Sequence, residues 1–75
     1  MIKVCIIGLG YVGLPILANL SKKYKTFGYD NNSLRVESLK NGIDIFNEFN
    51  KKDLNQINTT FTNELKKIST CNLFI

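Results

Sequence analysis

The amino-acid sequence predicts an α/β fold in which helices alternate with the strands of a parallel sheet. Residues 2–7 form an apolar, β-branched run that only Lys3 interrupts and Gly8 ends, which is typical of a strand buried on both faces. Three more short strands alternate with helical segments along the remaining chain. Such alternation indicates a parallel sheet wound by right-handed crossovers. A length of 75 residues suits one small folding unit and excludes a multidomain enzyme within these residues.

The first helix is predicted to begin at Tyr11, directly after the turn that follows the first strand. Pro15 lies near its first turn, where a missing N–H group costs little. Apolar residues recur along this segment at helical spacing. They are Val12, Ile16, Leu17 and Leu20.

The second strand is predicted at Thr26–Asp30 and is followed by a helix that carries Val36 and Leu39 inward. The predicted caps of this helix are Asn31 or Asn32 at its start and Asn41 with Gly42 at its end.

The second half of the chain has a weaker pattern. Residues 43–57 have no clean period and are predicted to form a connection with one short helix at 52–56. A third strand is predicted at 59–62 and a fourth at 71–75. Between them we expect a short helix through Leu65 and Ile68, capped by Thr62 or Asn63.

A net charge of +4, from ten Lys and Arg against six Asp and Glu, is compatible with a nucleic-acid or anionic-membrane partner. The lysines are scattered in short groups, however, which favours a solvated surface over a polyanion site. We therefore predict neither a nucleic acid nor a membrane as partner.

Cys5 and Cys71 lie in apolar runs without the spacing of metal ligands, which predicts buried thiols and no metal site. His is absent, so imidazole general-base catalysis is excluded within these residues. The sequence shows neither a signal-peptide pattern nor an apolar run of membrane-spanning length. The expected location is cytoplasmic.

Gly8, Gly10 and Gly13 form a G-x-G-x-x-G motif between the first predicted strand and the first predicted helix. In a dinucleotide site, Gly8 permits the tight turn, Gly10 lets the backbone approach a pyrophosphate, and Gly13 lets helix and strand pack closely. The amides near Gly10, Tyr11 and Val12 are then expected to point at the phosphates. The alternative is a tight turn that binds nothing.

Asp30 follows Gly8 by 22 residues, at the end of the second predicted strand, where a ribose-binding acid is expected. Its carboxylate would accept hydrogen bonds from the ribose hydroxyls and repel the extra phosphate of NADP, so NAD is the predicted cofactor. The alternative is a turn or helix-capping aspartate. Glycines and acid together predict a Rossmann-like fold, truncated after about four strands in the order 3-2-1-4.

Arg35 lies one turn into the second predicted helix and either flanks the adenosine end of the cofactor or lies on a solvated face. Tyr11 is predicted to be a surface residue whose amide matters more than its ring. No catalytic residue is predicted. The acidic residues without a spaced partner are predicted to lie on the surface, namely Glu37, Asp44, Glu48, Asp53 and Glu64.

The segments KVCIIGLGYVGLP and TFGYDNNSLRVESLKNGID resemble the N-terminal segment of the UDP-glucose/GDP-mannose dehydrogenase family of nucleotide-sugar dehydrogenases. The resemblance covers essentially the whole chain and includes Asp30, Arg35 and Gly42 beyond the glycine motif. Within the family, G-L-P and N-G-I-D look more like the enzymes that oxidise UDP-N-acetylhexosamines. The E-P-G-L element usual in UDP-glucose enzymes is missing.

The resemblance implies that the parent protein is an NAD-dependent oxidoreductase. Family members oxidise the sugar C6 alcohol to a carboxylate through a cysteine thioester and supply uronic acids for surface polysaccharide. Their catalytic cysteine and lysine lie far downstream, so Cys71 is not given that role. Residues 1–75 are then expected to be a partial NAD-binding domain, without the rest of that domain or the sugar-binding domain, of a homo-oligomeric parent.

Two other classes stay open at this point: a non-enzymatic, nucleotide-sensing regulatory module, and an inert truncated fragment. G-Y-V-G-L-P and N-G-I-D favour the dehydrogenase. The last five residues, CNLFI, form an apolar strand without a helix to cover it, which leads us to expect a fragment.

Overall fold

The computed structural model describes the whole chain, Met1–Ile75, as a four-stranded parallel sheet with helices packed against it. The sheet order is β3-β2-β1-β4, so the predicted α/β class and the predicted order 3-2-1-4 are both confirmed. The elements in chain order are β1 (Lys3–Ile7), α1 (Gly13–Leu20), β2 (Lys25–Tyr29), α2 (Ser33–Lys40), α3 (Lys51–Gln56), β3 (Thr59–Thr62), a 3₁₀ helix (Leu65–Ile68) and β4 (Leu73–Phe74).

The register of the two central strands brings the glycine motif beside Asp30. β1 and β2 pair in parallel from Lys3 opposite Lys25 to Ile7 opposite Tyr29. Both strands therefore end at the same level, and the next residues along each chain segment are Gly8 and Asp30. The carboxyl edge of a parallel sheet is where such folds bind ligands.

The core lies between the sheet and its helices and is built from nine apolar residues. They are Val4, Ile6, Leu9, Leu14, Leu17, Val36, Leu39, Leu54 and Phe61. Val12 and Ile16, which recur at helical spacing in the sequence, are instead exposed. α1 begins at Gly13 and not at Tyr11 as predicted, so Val12 is its N-cap residue. Within the helix, at about 100° per residue, the stripe that carries Leu14 and Leu17 points at the sheet, and Ile16 lies about 200° from Leu14.

The boundaries of α2 agree with the prediction. The Asn32 side chain caps its start by accepting from the N–H groups of Leu34 and Arg35. At its end Gly42 has φ +79°, a backbone conformation that favours glycine. The short helix predicted at 52–56 is α3, whereas the segment with Leu65 and Ile68 is a 3₁₀ helix with no side-chain cap.

β4 is shorter than the strand predicted at 71–75, since it comprises Leu73 and Phe74, whose side chains are half-exposed. Backbone hydrogen bonds to β1 extend one residue further on each side, to Asn72 and Ile75. Cys5 is fully buried, and burial with Cys71 nearby raises the pKa of its thiol to about 11. Cys71 was also predicted to be a buried thiol, and this was wrong, because it lies in the turn between the 3₁₀ helix and β4 and is only half-buried. None of the helices has the length and apolar character needed to cross a bilayer.

Candidate nucleotide-binding site

The loop between β1 and α1, which we call the glycine loop (residues 8–13), has three glycines in three different environments. Gly8 has φ +95° and donates its N–H to the Tyr29 carbonyl at 2.8 Å. A Cβ atom on Gly13 would overlap the Gly8 carbonyl. A Cβ atom on Gly10 would have no protein atom within 4 Å. Gly8 thus makes the turn, Gly13 permits close packing, and Gly10 borders open space.

The start of α1 leaves backbone N–H groups without a protein acceptor. The Leu14 N–H donates to the Gly10 carbonyl at 3.2 Å, and Pro15 has no N–H to continue the series. The N–H groups of Gly10, Tyr11 and Val12 donate to no backbone or side-chain acceptor, and the helix has no side-chain cap. Such a helix start carries partial positive charge and suits an anion.

Asp30 connects the end of β2 to the glycine loop. Its Oδ2 accepts the Leu9 N–H at 2.9 Å, and its Oδ1 accepts the Asn32 N–H at 2.9 Å. The residue is partly exposed, and each carboxylate oxygen has a further lone pair for an external donor. Asp30 therefore has the role of a turn aspartate and remains free to accept from a ligand, while Asn32 caps α2.

Arg35 is buried in the inner face of α2, with 7% of its surface exposed. Its Nε donates to the Leu9 carbonyl at 2.6 Å, and its Nη1 to Asp44 Oδ1 at 3.0 Å. The alternative of a solvated position was therefore wrong. The Leu9 peptide groups are held from two sides, by Asp30 and by Arg35, which anchors the glycine loop.

Asp44 was predicted to lie on the surface, and this was wrong, because only 4% of it is exposed. Burial alone would raise its pKa, but the N–H groups of Phe46 and Phe49 and the Arg35 guanidinium lower it below 3.8. The Glu48 N–H also donates to its Oδ2, at 3.0 Å. Sequence reasoning missed this pair, although Arg35 lies four residues before the inward-facing Leu39, and a buried arginine needs an anion.

Two open cavities meet at the glycine loop. One, of about 380 Å³, lies beside Asp30 and includes Gly10 and Arg35 in its lining. The other, of about 470 Å³, lies over the ends of β1 and α1 and also includes Gly10. A larger cavity of about 530 Å³ lies among lysines at the opposite edge of the sheet. It includes neither the glycines of the motif nor Asp30, so the candidate site consists of the two cavities at the carboxyl edge.

The predicted site residues occupy one continuous region. Gly8, Gly10, Gly13 and the amides of Tyr11 and Val12 form one side, and Asp30 lies at the next strand end. The Tyr11 side chain is 61% exposed, as predicted. A positively polarised helix start next to an acceptor carboxylate can bind a phosphate-linked ribose.

Comparison with known proteins agrees with this geometry. Residues 2–75 match the UDP-glucose/GDP-mannose dehydrogenase family, NAD binding domain. The UDP-N-acetyl-D-glucosamine 6-dehydrogenase of Salmonella typhi is 41% identical over 99% of this chain and 18% of that protein. The protein of the same name from Pseudomonas aeruginosa is 39% identical over the same shares. The chain thus spans about a fifth of the length of these relatives.

A solved structure has the same fold. The UDP-D-ManNAc dehydrogenase from Pyrococcus horikoshii superposes with a TM-score of 0.84 at 24% sequence identity. The match covers 97% of this chain and 19% of the archaeal chain. At this identity the likeness supports the Rossmann-like fold of the NAD-binding domain.

Proposed function

This chain belongs to the NAD-binding domain of the UDP-glucose/GDP-mannose dehydrogenase family, and we propose that it binds the adenosine and pyrophosphate half of NAD. One observation in particular supports the proposed position of the cofactor. The unsatisfied N–H groups at Gly10, Tyr11 and Val12 lie at the end of β1, directly beside the Asp30 carboxylate at the end of β2.

Each residue then has a distinct role in binding. The open space over Gly10 admits the pyrophosphate, whose oxygens accept from the N–H groups of the first helical turn. Asp30 accepts from the ribose hydroxyls of the adenosine, and its charge disfavours a 2′-phosphate. Arg35 contributes indirectly, because its hydrogen bond to the Leu9 carbonyl holds the glycine loop in place. When bound, NAD supplies the hydride acceptor of the family reaction.

For the parent protein, we propose a cytoplasmic, homo-oligomeric UDP-N-acetylhexosamine 6-dehydrogenase that makes uronic acids for surface polysaccharide. The names of the bacterial relatives support this substrate class. In this proposal residues 1–75 form part of the NAD-binding domain, and the remaining cofactor contacts, the sugar site and the catalytic residues belong to other segments. UDP-sugar is a partner of the parent only.

The cofactor assignment is tested by calorimetric titration with NAD, NADP, ADP-ribose and nicotinamide mononucleotide. ADP-ribose should retain most of the affinity for NAD, and the mononucleotide should bind only weakly. Asp30→Ala should reduce the preference for NAD over NADP about tenfold, since a charge-assisted hydrogen bond and a phosphate-repelling charge are lost together. Asp53→Ala removes an exposed carboxylate in α3 and should leave the preference unchanged.

Two results would contradict the assignment. Unchanged discrimination in Asp30→Ala would show that Asp30 does not contact the ribose. Tighter binding of the mononucleotide than of ADP-ribose would show that the adenosine half is not the half bound here.

A further inference from the structure

The face of the sheet opposite the helices carries two thiols that the proposed cofactor site does not use. Side chains alternate along a strand, and Val4 and Ile6 belong to the core on the helix side of β1. Cys5 therefore points to the other face, where none of its surface is exposed. Ile68 is also buried, outside that core, in the 3₁₀ helix that contacts β2. The segment from the 3₁₀ helix to β4 thus lies over this face.

Hydrogen bonds to Lys3 place Cys71 on the same side of the sheet as Cys5. Lys3 lies two residues before Cys5 in β1, so its side chain points to the same face. Its Nζ donates to Thr70 Oγ1 at 3.5 Å, and its backbone N–H donates to Asn72 Oδ1 at 2.8 Å. The Asn72 N–H donates in return to the Lys3 carbonyl, also at 2.8 Å. Both chain neighbours of Cys71 are therefore held by a residue beside Cys5.

The two thiols are close enough to influence each other's ionisation. Burial raises the pKa of Cys5 to about 11, and the neighbouring Cys71 contributes to this rise. Burial also raises the pKa of Cys71, while the interaction with Cys5 and the Lys3 ammonium oppose that rise. Both cysteines are free, one buried and the other half-buried. A solute therefore reaches this pair of thiols through Cys71.

We propose that Cys5 and Cys71 are a redox modification site, at which a reversible disulfide ties the turn before β4 to β1. The oxidant is a small disulfide such as glutathione disulfide. The Cys71 thiolate attacks one of its sulfurs, which gives a mixed disulfide and releases one thiol carrying the proton that Cys71 had lost. Cys5 then attacks the Cys71 sulfur, and the second thiol leaves with the Cys5 proton. Two protein thiols thereby lose two electrons and two protons, and the small disulfide is reduced to two thiols.

The fold supplies what the second step needs. Because Cys5 and Cys71 lie side by side, that attack is intramolecular and requires no access of the oxidant to Cys5. The bond closes a loop from residue 5 to residue 71, which is most of the chain. Closing a long loop restricts the unfolded chain more than the folded one. The disulfide should therefore stabilise the folded protein.

Mass spectrometry tests the bond on the full chain, incubated with glutathione disulfide at about pH 8.5, where a larger fraction of each thiol is ionised. The intact mass should fall by two hydrogen atoms. A non-reducing tryptic digest should contain residues 4–22 linked to residues 68–75. A chain that keeps glutathione on Cys71, or that forms covalent dimers instead, would overturn the proposal.

Two matched variants separate the roles of the thiols. In Cys5→Ala, Cys71 should retain one glutathione, because no second thiol can displace it. In Cys71→Ala, the fully buried Cys5 should stay unmodified. Equal uptake of glutathione by the two variants would show that the oxidant reaches Cys5 directly, and the order of attack proposed here would be wrong. The digest of the wild-type chain decides the pairing even if Cys5→Ala does not fold.

Thermal unfolding followed by circular dichroism shows whether the bond suits the folded state. The oxidised chain should unfold about 10 °C above the reduced chain, because the disulfide closes a long loop. Dithiothreitol should reverse the shift, and Cys71→Ala should show none. An oxidised chain that unfolds at the same or a lower temperature would mean that the thiols must leave their folded positions to join, which overturns the proposal.

Discussion

Two groups of backbone N–H donors in this protein differ in whether the chain supplies an acceptor for them. In the connection after α2, the N–H groups of Phe46, Glu48 and Phe49 all donate to the carboxylate of Asp44. At the start of α1, the N–H groups of Gly10, Tyr11 and Val12 donate to nothing in the chain. The first group therefore surrounds an anion of the chain itself, the Asp44 carboxylate, and the second group has no such anion.

In our proposal, the same electrostatics stabilises the structure in one place and binds a ligand in the other. Converging N–H groups make an anion-binding concavity whatever supplies the anion. The internal carboxylate of Asp44 makes one concavity part of the structure, whereas the start of α1 has no such carboxylate and is where we propose that a phosphate binds. The starts of the three α-helices follow the same division, because Asn32 caps α2 and Asn50 caps α3 while α1 has no side-chain cap.

Removing the internal anion should have the largest effect on stability. Asp44→Asn leaves the buried Arg35 without a counter-charge, and we expect the free energy of unfolding to fall by about 3 kcal/mol. Urea denaturation followed by circular dichroism measures this. Asp53→Asn makes the same chemical change at an exposed position and should alter stability by less than about 0.5 kcal/mol. Equal effects of the two variants would mean that Asp44 is not a structural anion.

The same pair gives a pH dependence with a definite sign. Because the pKa of Asp44 is lowered in the folded state from its ordinary 3.8, its contribution to stability is complete above that pH. It is lost as the pH falls below 3.8 towards the folded-state value. Wild-type protein should therefore lose more stability than Asp44→Asn when the pH falls from about 5 to about 2. Parallel stability curves for the two proteins would contradict this sign.

Filling the open space over Gly10 should weaken ligand binding strongly without unfolding the protein. In Gly10→Val the branched Cβ enters the space proposed for the pyrophosphate, and we expect about a hundredfold loss of ADP-ribose affinity, or about 2.7 kcal/mol. The fold should survive, since no protein atom lies within 4 Å of the new Cβ. Calorimetry with a circular dichroism control measures both. A folded variant that binds normally would place the phosphates elsewhere.

The capped helix starts should show the smallest effects. Asn32 accepts two N–H groups and Asn50 accepts one. Asn32→Ala should therefore cost about 1 kcal/mol of stability and Asn50→Ala about half of that. Asn50→Ala should leave ADP-ribose affinity unchanged, because Asn50 lies outside both cavities of the site. A loss of ligand affinity in Asn50→Ala would indicate that capping and binding are coupled.

Much of the fold could be predicted because its signals are local. The strands, the helix after the glycine motif and the ends of α2 follow from short apolar runs, periodicity and turn residues. The strand order followed from the dinucleotide-binding pattern. The exposure of Val12 and Ile16 could not be predicted from spacing alone, because the spacing does not show which stripe of the helix faces the sheet.

The candidate site likewise has a part that the sequence predicts and a part that only the tertiary structure decides. Gly8, Gly10, Gly13 and Asp30 could be proposed as site residues from the sequence, because a dinucleotide-binding turn between a strand and a helix needs those residue types at that spacing. The Arg35–Asp44 pair and the double anchoring of Leu9 were decided only by the tertiary structure. They depend on how α2 and the following connection pack against the glycine loop. Burial, which converts an ordinary Asp into a structural anion, is a property of that packing and has no local signature in the sequence.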